Sequence, residues 1–252
     1  MLAPILSLFD RAAARTVQQH PLLRKANDSY NVYEVAKLRA ALQSARYFEK
    51  RLLTALQFAT REEQLTHALS LAPKDGLIME FGVAGGDSIR QIAKMRSAPI
   101  YGFDSFEGLP EGWFAYLRKG FFAQPLPRVP EHVTLVKGWF SDTLEGFLKQ
   151  HSGPVAFLHI DSDLYSSADF VLRGLEGRVV PGTVVLFDEY WNYPGWLQHE
   201  FKAFQEFIAR TGLSYRYDSF VPTGHQVCVV IEAAGTFPRS PNDFGTPKLE
   251  PR

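Results

Sequence analysis

Leu77-Ile-Met-Glu-Phe-Gly-Val-Ala-Gly-Gly-Asp-Ser88 runs from an apolar stretch through a cluster of glycines into a helix-like segment that extends to Met95. A short apolar run reads as a strand buried on both faces, and glycines directly after it read as a tight strand-to-helix turn. The same grammar recurs downstream. Pro99-Ile-Tyr-Gly-Phe103, Val133-Thr-Leu-Val136, Val155-Ala-Phe-Leu-His-Ile160 and Thr183-Val-Val-Leu-Phe187 are further apolar runs. Ser141–Gln150, Ser166–Leu175 and Leu197–Thr211 lie between or after them and are helix-like. Strands alternating with helices imply βαβ units and a mostly parallel sheet, a Rossmann-like α/β fold. Leu213–Tyr217 and Gln226–Ile231 are separated only by a Pro-Thr-Gly-His turn, which predicts an antiparallel closing hairpin.

Three zones follow. Residues 1–75 form a helical extension, 76–233 the α/β domain, and 234–252 a Pro-, Gly- and Ser-rich tail. Val35, Leu38, Leu42, Ala45, Phe48, Leu52, Leu53 and Leu56 recur at spacings of three and four, which predicts one apolar stripe on a long helix. Thr60-Arg-Glu-Glu63 reads as a capping box for a second helix, which Pro73 stops. Together these helices offer a cover for the site or a homodimer contact. The apolar start, Met1 to Phe9, is short, is followed by Asp10 and Arg11, and reads as a docking segment rather than a signal peptide. The gap from Ser105 to Glu131 is aromatic and aperiodic, the signature of a functional loop or lid.

The chain of 252 residues is 46% hydrophobic and 21% charged, so disordered and fibrous classes are excluded. Its single cysteine, Cys228, excludes an intramolecular disulfide and a cysteine-based zinc cluster, and suits a reducing cytoplasm. Lys+Arg and Asp+Glu are both 27 and no basic run occurs, which argues against a nucleic-acid partner. No stretch approaches the roughly 20 apolar residues of a membrane span, so no membrane partner is expected.

In an open parallel sheet, ligands bind beyond the carboxyl ends of the strands. At the first strand end, Gly82, Gly85 and Gly86 would let a ligand approach the backbone, with Phe81 before them and Ser88 opening the helix. The acid Glu80 would repel a pyrophosphate but attract an ammonium group, which points to S-adenosylmethionine as the cofactor. Asp104, with Ser105, stands about 20 residues further on, where an acid suits ribose hydroxyls. Phe140 or Trp139 could flank an adenine ring and Asp142, beside Ser141, could accept from its amino group. Ser141 or Asp142 also suits a helix N-cap completed by Glu145. His159-Ile-Asp161-Ser-Asp163 and Phe187-Asp188-Glu189-Tyr190 bring carboxylates to the same sheet edge. Such a cluster calls for a cation or a proton, and oxygen-only ligands favour Mg²⁺ at Asp161, Asp188 and Glu189. The ion would hold a substrate hydroxyl and lower its pKa. The alternative reading makes Asp163 a helix cap and Asp188 a solvated loop residue. Asp161, Asp163 and His225 are the catalytic candidates. His199 is a weaker base candidate, and His159, inside an apolar run, reads as a satisfied core residue. Trp191, Tyr193, Trp196 and the aromatics of the 105–130 loop read either as an acceptor pocket or as core.

Taken together, Glu80–Ser88, Gly102-Phe-Asp-Ser-Phe-Glu-Gly-Leu-Pro110, Gly138-Trp-Phe-Ser-Asp-Thr-Leu144, His159–Tyr165 and Phe187–Tyr190 resemble the macrocin-type O-methyltransferases of antibiotic biosynthesis, a group of class I S-adenosylmethionine-dependent enzymes. The resemblance covers roughly 77 to 230. It implies a seven-stranded sheet with an antiparallel last strand, methyl transfer to a hydroxyl of a small molecule, and a divalent ion, usually magnesium. It also implies cofactor contacts at Glu80, Gly82, Asp104 and Asp142. The catechol O-methyltransferases share the metal arrangement in outline, which falls on Asp161, Asp188 and Glu189. This chain departs from both groups. It has Asp188-Glu189 where the macrocin-type enzymes usually have Asp-Asp, and Leu164 where the catechol type has its lysine base. Three rivals compete with this reading: a related metal-dependent hydroxylase, a nicotinamide oxidoreductase and a non-catalytic binding protein on the same scaffold.

Overall fold

The computed structural model describes residues 30–113 and 117–233. The apolar start, the tail and residues 114–116, including Phe114 and Tyr116 of the aromatic loop, lie outside the described residues. In chain order the elements are α1 (Val32–Arg51), β1 (Leu56–Gln57), α2 (Arg61–Leu71), β2 (Leu77–Phe81), α3 (Asp87–Met95), β3 (Ile100–Asp104), β4 (Val133–Lys137), α4 (Phe140–Gln150), β5 (Val155–Ile160), α5 (Tyr165–Gly174), β6 (Val184–Phe187), α6 (Glu200–Thr211), β7 (Ser214–Phe220) and β8 (Val227–Glu232). A single 3₁₀ turn at Trp196–Gln198 precedes α6.

The strands form one eight-stranded sheet in the order β1-β7-β8-β6-β5-β2-β3-β4. β2 to β6 run parallel to one another, while β8 is antiparallel to both β6 and β7. The hairpin read from Leu213 to Ile231 is therefore present, and β8 is the antiparallel last strand. The eighth strand beyond the expected seven is the two-residue β1, which pairs along β7. The order reverses at β2, so β3 and β5 diverge on either side of it and open a crevice at their carboxyl ends.

Period-two side chains split the core between the two faces. Met79, Phe81, Leu158, Ile160 and Phe187 pack on one face with Tyr47 of α1 and with α4, α5 and α6. Ile78, Ile100, Phe157, Val184 and Cys228 pack on the other against Leu65, Leu69, Ile89 and Ile92 of α2 and α3. Gly102 lets α3 lie close to β3, because a Cβ there would meet Ile89 Cδ1 at 2.4 Å.

The first helix differs from its sequence reading. It ends at Arg51, and its buried residues are Ala40, Ser44 and Tyr47, while Leu42, Leu53 and Leu56 are exposed. Two contacts turn the helix this way. The Tyr47 hydroxyl hydrogen-bonds that of Tyr217, and Ser44 Oγ accepts from the Asn192 N–H at 3.0 Å. The second helix begins as read: Thr60 Oγ1 accepts from the Glu63 N–H at 3.1 Å, and Glu63 Oε2 from the Ala59 N–H at 3.2 Å. No helix among the described residues is long and apolar enough to cross a membrane.

Candidate active site

The carboxyl ends of β2, β3, β5 and β6 surround a cleft of about 640 Å³. At its centre is the turn after β2. Gly82 has φ +94°, and a Cβ there would fall 1.7 Å from the Asp161 carbonyl oxygen, so no other residue lets β2 and β5 close at this level. Ala84 follows at φ 45°, and Gly86 caps α3 at φ 80°. Asp104, at the end of β3, holds this turn from the side. Its Oδ2 accepts from the N–H groups of Val83 and Ala84, both at 2.8 Å, and its Oδ1 from Phe106 N–H at 2.7 Å.

Of the residues assigned to a cofactor from sequence, Gly82, Asp104, Ser105, Phe140, Ser141 and Asp161 line the cleft. Phe81, Glu80, Ser88, Gly85, Gly86 and Asp142 do not line it. Phe81 is buried beneath the turn, stacked on Phe103. Glu80 is fully enclosed, its Oε1 accepting from Ser88 Oγ at 3.1 Å and its Oε2 bonded to His159 Nδ1 at 3.0 Å. Its charge is thus committed inside the protein, where the sequence reading had it facing an ammonium. Gly85 and Gly86 form the back of the turn. Asp142 is exposed on α4, where it accepts from Ser141 Oγ at 2.9 Å. The capping box read at Ser141 does not form either, since Trp139 is the N-cap and makes no side-chain cap bond. Trp139 itself does line the cleft.

Across the crevice, Asp161 and Asp163 follow β5, and Asp188 and Glu189 follow β6; all four line the cleft. Asp163 is held at φ 63°, a strained conformation for a residue with a Cβ. It does not cap α5, whose N-cap is Leu164. Glu200, fully buried at the start of α6, ties the two loops together. Its Oε1 accepts from Ser162 N–H at 3.2 Å and its Oε2 from Glu189 N–H at 3.1 Å. Two cations enter the cluster. His159 Nε2 lies 3.9 Å from Asp188 Oδ1. Arg61, the first residue of α2, reaches Asp188 Oδ2 at 3.3 Å and Asp161 Oδ2 at 3.5 Å. Arg61 and Glu200 escaped the sequence reading. Arg61 was legible only as part of a capping box, and Glu200 only as an acid in a helical first turn.

The pKa values follow this uneven neutralisation. Burial would lower that of His159, but the nearby Asp188 carboxylate and the bond to Glu80 hold the proton and raise it to about 10. Burial would raise the Asp188 carboxyl, but His159 and Arg61 pull it down to about 2. Asp163 rises to about 7 through burial and the charges of Asp188 and Asp104. Glu189 and Asp161 are raised well above the carboxylate range by burial and the Asp188 charge. His225, which lines the cleft, has its pKa lowered by burial.

A divalent cation fits this end of the cleft. Glu189 Oε2 is buried and has no hydrogen-bond partner among the described residues. Two groups bring potential ligand atoms within 4.8 Å of one another: His159, Asp161 and Asp188, and Asp161, Asp163 and Glu189. The set Asp161, Asp188 and Glu189 read from sequence is divided between them, because the consecutive Asp188 and Glu189 leave β6 toward different partners. His159 carries its proton toward Glu80 and Asp188, so the second group, all oxygen, suits Mg²⁺ better.

The described parts of the 105–131 loop, 105–113 and 117–131, fold back over the cleft. Leu109 N–H donates to the Phe121 carbonyl and Gly120 N–H to the Leu109 carbonyl, both at 2.9 Å. Ser166 Oγ on α5 donates to Glu111 Oε1 at 2.7 Å. Leu109, Pro110, Trp113 and Phe122 form its lining face. Trp191, Tyr193 and Trp196, read as pocket or core, are core, with exposures of 4%, 3% and 0%. His199 packs against Trp113 and Tyr193 and does not line the cleft.

The fold is that of the class I methyltransferases. Residues 79–190 match the family described as a methyltransferase domain. Among curated proteins, the chain is 30% identical over 159 residues to the 8-demethyl-8-(2,3-dimethoxy-alpha-L-rhamnosyl)-tetracenomycin-C 4'-O-methyltransferase of Streptomyces olivaceus, a match covering 52% of this chain and 60% of that protein. Among solved structures, the calicheamicin methyltransferase CalS11 superposes with a TM-score of 0.54 at 20% identity, over 90% of this chain and 93% of that one. The O-methyltransferase NovP gives a TM-score of 0.53 at 22% identity, over 69% of this chain and 79% of that one.

Proposed function

We propose that the protein is an S-adenosylmethionine-dependent O-methyltransferase acting on a hydroxyl of a small natural product, a sugar or a phenol, with Mg²⁺ assistance. One observation carries this reading. One cleft joins a turn that needs glycine at position 82, braced by Asp104, to an acidic pocket in which Glu189 Oε2 is buried without a hydrogen-bond partner among the described residues. The methyltransferase-domain match over 79–190 supports the donor, and the name of the Streptomyces olivaceus relative, which specifies a rhamnosyl acceptor, supports a sugar.

When bound, the donor supplies a methyl group on a sulfonium, already a good leaving group. A divalent cation supplies Lewis acidity that lowers the pKa of a hydroxyl held beside it. The chain's residues do the rest. The Gly82 turn lets a ligand approach the backbone, and the remaining lone pair on Asp104 Oδ1 is offered to a ribose hydroxyl. Trp139 and Phe140 flank a flat ring. Asp161, Asp163 and Glu189 hold the cation. His225 accepts the proton of the acceptor hydroxyl, and Leu109, Pro110, Trp113 and Phe122 keep water out and fix the acceptor in line. A cytoplasmic setting suits the single buried thiol of Cys228. The exposed Val32, Leu42 and Leu53 of the N-terminal helical region suit a homodimer contact.

The test is calorimetric titration with S-adenosylhomocysteine and with NADH, followed by methyl transfer to a panel of glycosides and phenols with and without chelator. Binding of the first ligand alone, with chelator-sensitive turnover, is the expected result. NADH binding, or no binding of either ligand, overturns the reading.

A further inference from the structure

We infer that Arg61 is the built-in counter-ion of the acidic pocket, holding Asp161 and Asp188 until a divalent cation displaces it, so that arginine and cation compete for the same carboxylates. The inference rests on the divalent-cation reading above and adds a residue from outside the 79–190 methyltransferase match.

The argument begins with position. Thr60 and Glu63 cap α2 from both sides of Arg61, so the backbone at this residue is fixed. The side chain is not fixed to the same degree. It is 45% exposed, whereas the Asp188 side chain it meets is 6% exposed. The arginine can therefore leave along the cleft, and the aspartate cannot follow it. The other cation, His159, has no such exit, being 1% exposed and bonded to Glu80.

Next comes the choice of carboxylates. Asp161 belongs to both groups whose oxygens converge closely enough for a metal ion. Arg61 already holds Asp161 Oδ2 at 3.5 Å and Asp188 Oδ2 at 3.3 Å. A cation entering either group must share Asp161 with the guanidinium, and two positive charges at one carboxylate repel each other. Arg61 is the one lysine or arginine among the described residues that line the cleft, so the competition falls on this side chain. Without the cation it prevents four neighbouring acids from facing one another unscreened.

Coupling of this kind is reciprocal: whatever Arg61 costs the cation, the cation costs the Arg61 ion pairs. The experiment is Mn²⁺ binding to the full chain after chelator treatment, read by calorimetry and by the loss of the free-ion EPR signal. It compares the wild type with Arg61→Gln and Arg61→Lys, each first checked by thermal melting. Arg61→Gln is expected to bind Mn²⁺ more tightly than the wild type, by between about 5- and 150-fold. Arg61→Lys, which keeps the charge but loses the bidentate fork, should fall between them, and it carries the test alone if the glutamine variant does not fold. Equal affinities in all three overturn the competition while leaving the cation site standing. Weaker binding by the variants overturns it too, since Arg61 would then be positioning the ligands. No Mn²⁺ uptake by any of the three overturns the cation reading and the inference with it.

Discussion

Replacing Glu80 with glutamine separates two roles for this acid. The sequence suggested that it attracts the ammonium of a cofactor; the structure has it joined to His159 and Ser88 at zero exposure. Glu80 and His159 are register partners on β2 and β5, so their ion pair clamps the strands that frame the crevice. In Glu80→Gln the amide oxygen can still accept from His159 Nδ1, but the imidazolium loses the Glu80 charge and keeps Asp188, at 3.9 Å, as its nearest carboxylate. Breaking one partner of a buried pair costs about 3–5 kcal/mol. At about 2–4 °C per kcal/mol for a domain near this size, the midpoint should fall by about 6–20 °C. Differential scanning calorimetry measures this, and titration with S-adenosylhomocysteine on the same samples measures affinity. The double variant Glu80→Gln/His159→Gln should cost less than the sum of the singles, with a coupling of about 0.5–3 kcal/mol, because no charge is left stranded. An unchanged midpoint with a large loss of affinity refutes the reasoning and returns Glu80 to the ammonium. Strict additivity refutes the pairing.

Gly82→Ala should abolish S-adenosylhomocysteine binding in calorimetry and lower the melting midpoint, because its Cβ would overlap the Asp161 carbonyl at 1.7 Å and its φ is +94°. Glu200→Ala strands the N–H groups of Ser162 and Glu189, at about 1–3 kcal/mol each, and should weaken Mn²⁺ binding more than S-adenosylhomocysteine binding, with urea unfolding giving the stability loss. For pH, the His159 pKa is raised from 6.5 to about 10, so its contribution to stability is fully present below about 6.5 and is lost as pH rises toward 10. Melting midpoints should therefore decline from pH 7 to 10 in the wild type and decline less in His159→Gln.

What could be read in the chain was local. The strands show as continuous apolar runs, the turn at Gly82 as glycines between a strand and a helix, and the hairpin as two runs with a Pro-Gly turn between them. The start of α2 shows as a capping box whose bonds span four residues. What could not be read depends on contacts between distant segments. The buried face of α1 is set by Tyr47 meeting Tyr217, a separation of 170 residues, and period alone could not choose that face over the Leu42 side. β1 is two residues long and carries no alternation. Trp191, Tyr193 and Trp196 follow a site strand and carry the aromatic chemistry of a pocket, yet the loop after β6 turns them into the core. Arg61 and Glu200 reach the site from helices whose sequence signals concern only their own first turns.

The charges in the cluster also explain why one end of it faces the cleft unsatisfied. Asp188 has both side-chain cations and sits at about 2; its burial is offset by partners on either side. Glu189, one residue on, receives neither, and its carboxyl is driven up by burial and by Asp188 itself. Neutralising one acid with side chains therefore raises the cost of ionising its neighbours. In this state Asp163 and Glu189 are stabilised by taking up protons. Carboxylates that only served the fold would have been paired internally, as Glu80 and Glu200 are. Asp163 and Glu189 instead border open space beside the Gly82 turn, and Asp161 is shared between that space and Arg61. A ligand that brings positive charge to that space gains the stabilisation the protein leaves unused. A double charge, small enough to share three oxygens, gains more of it than a proton can.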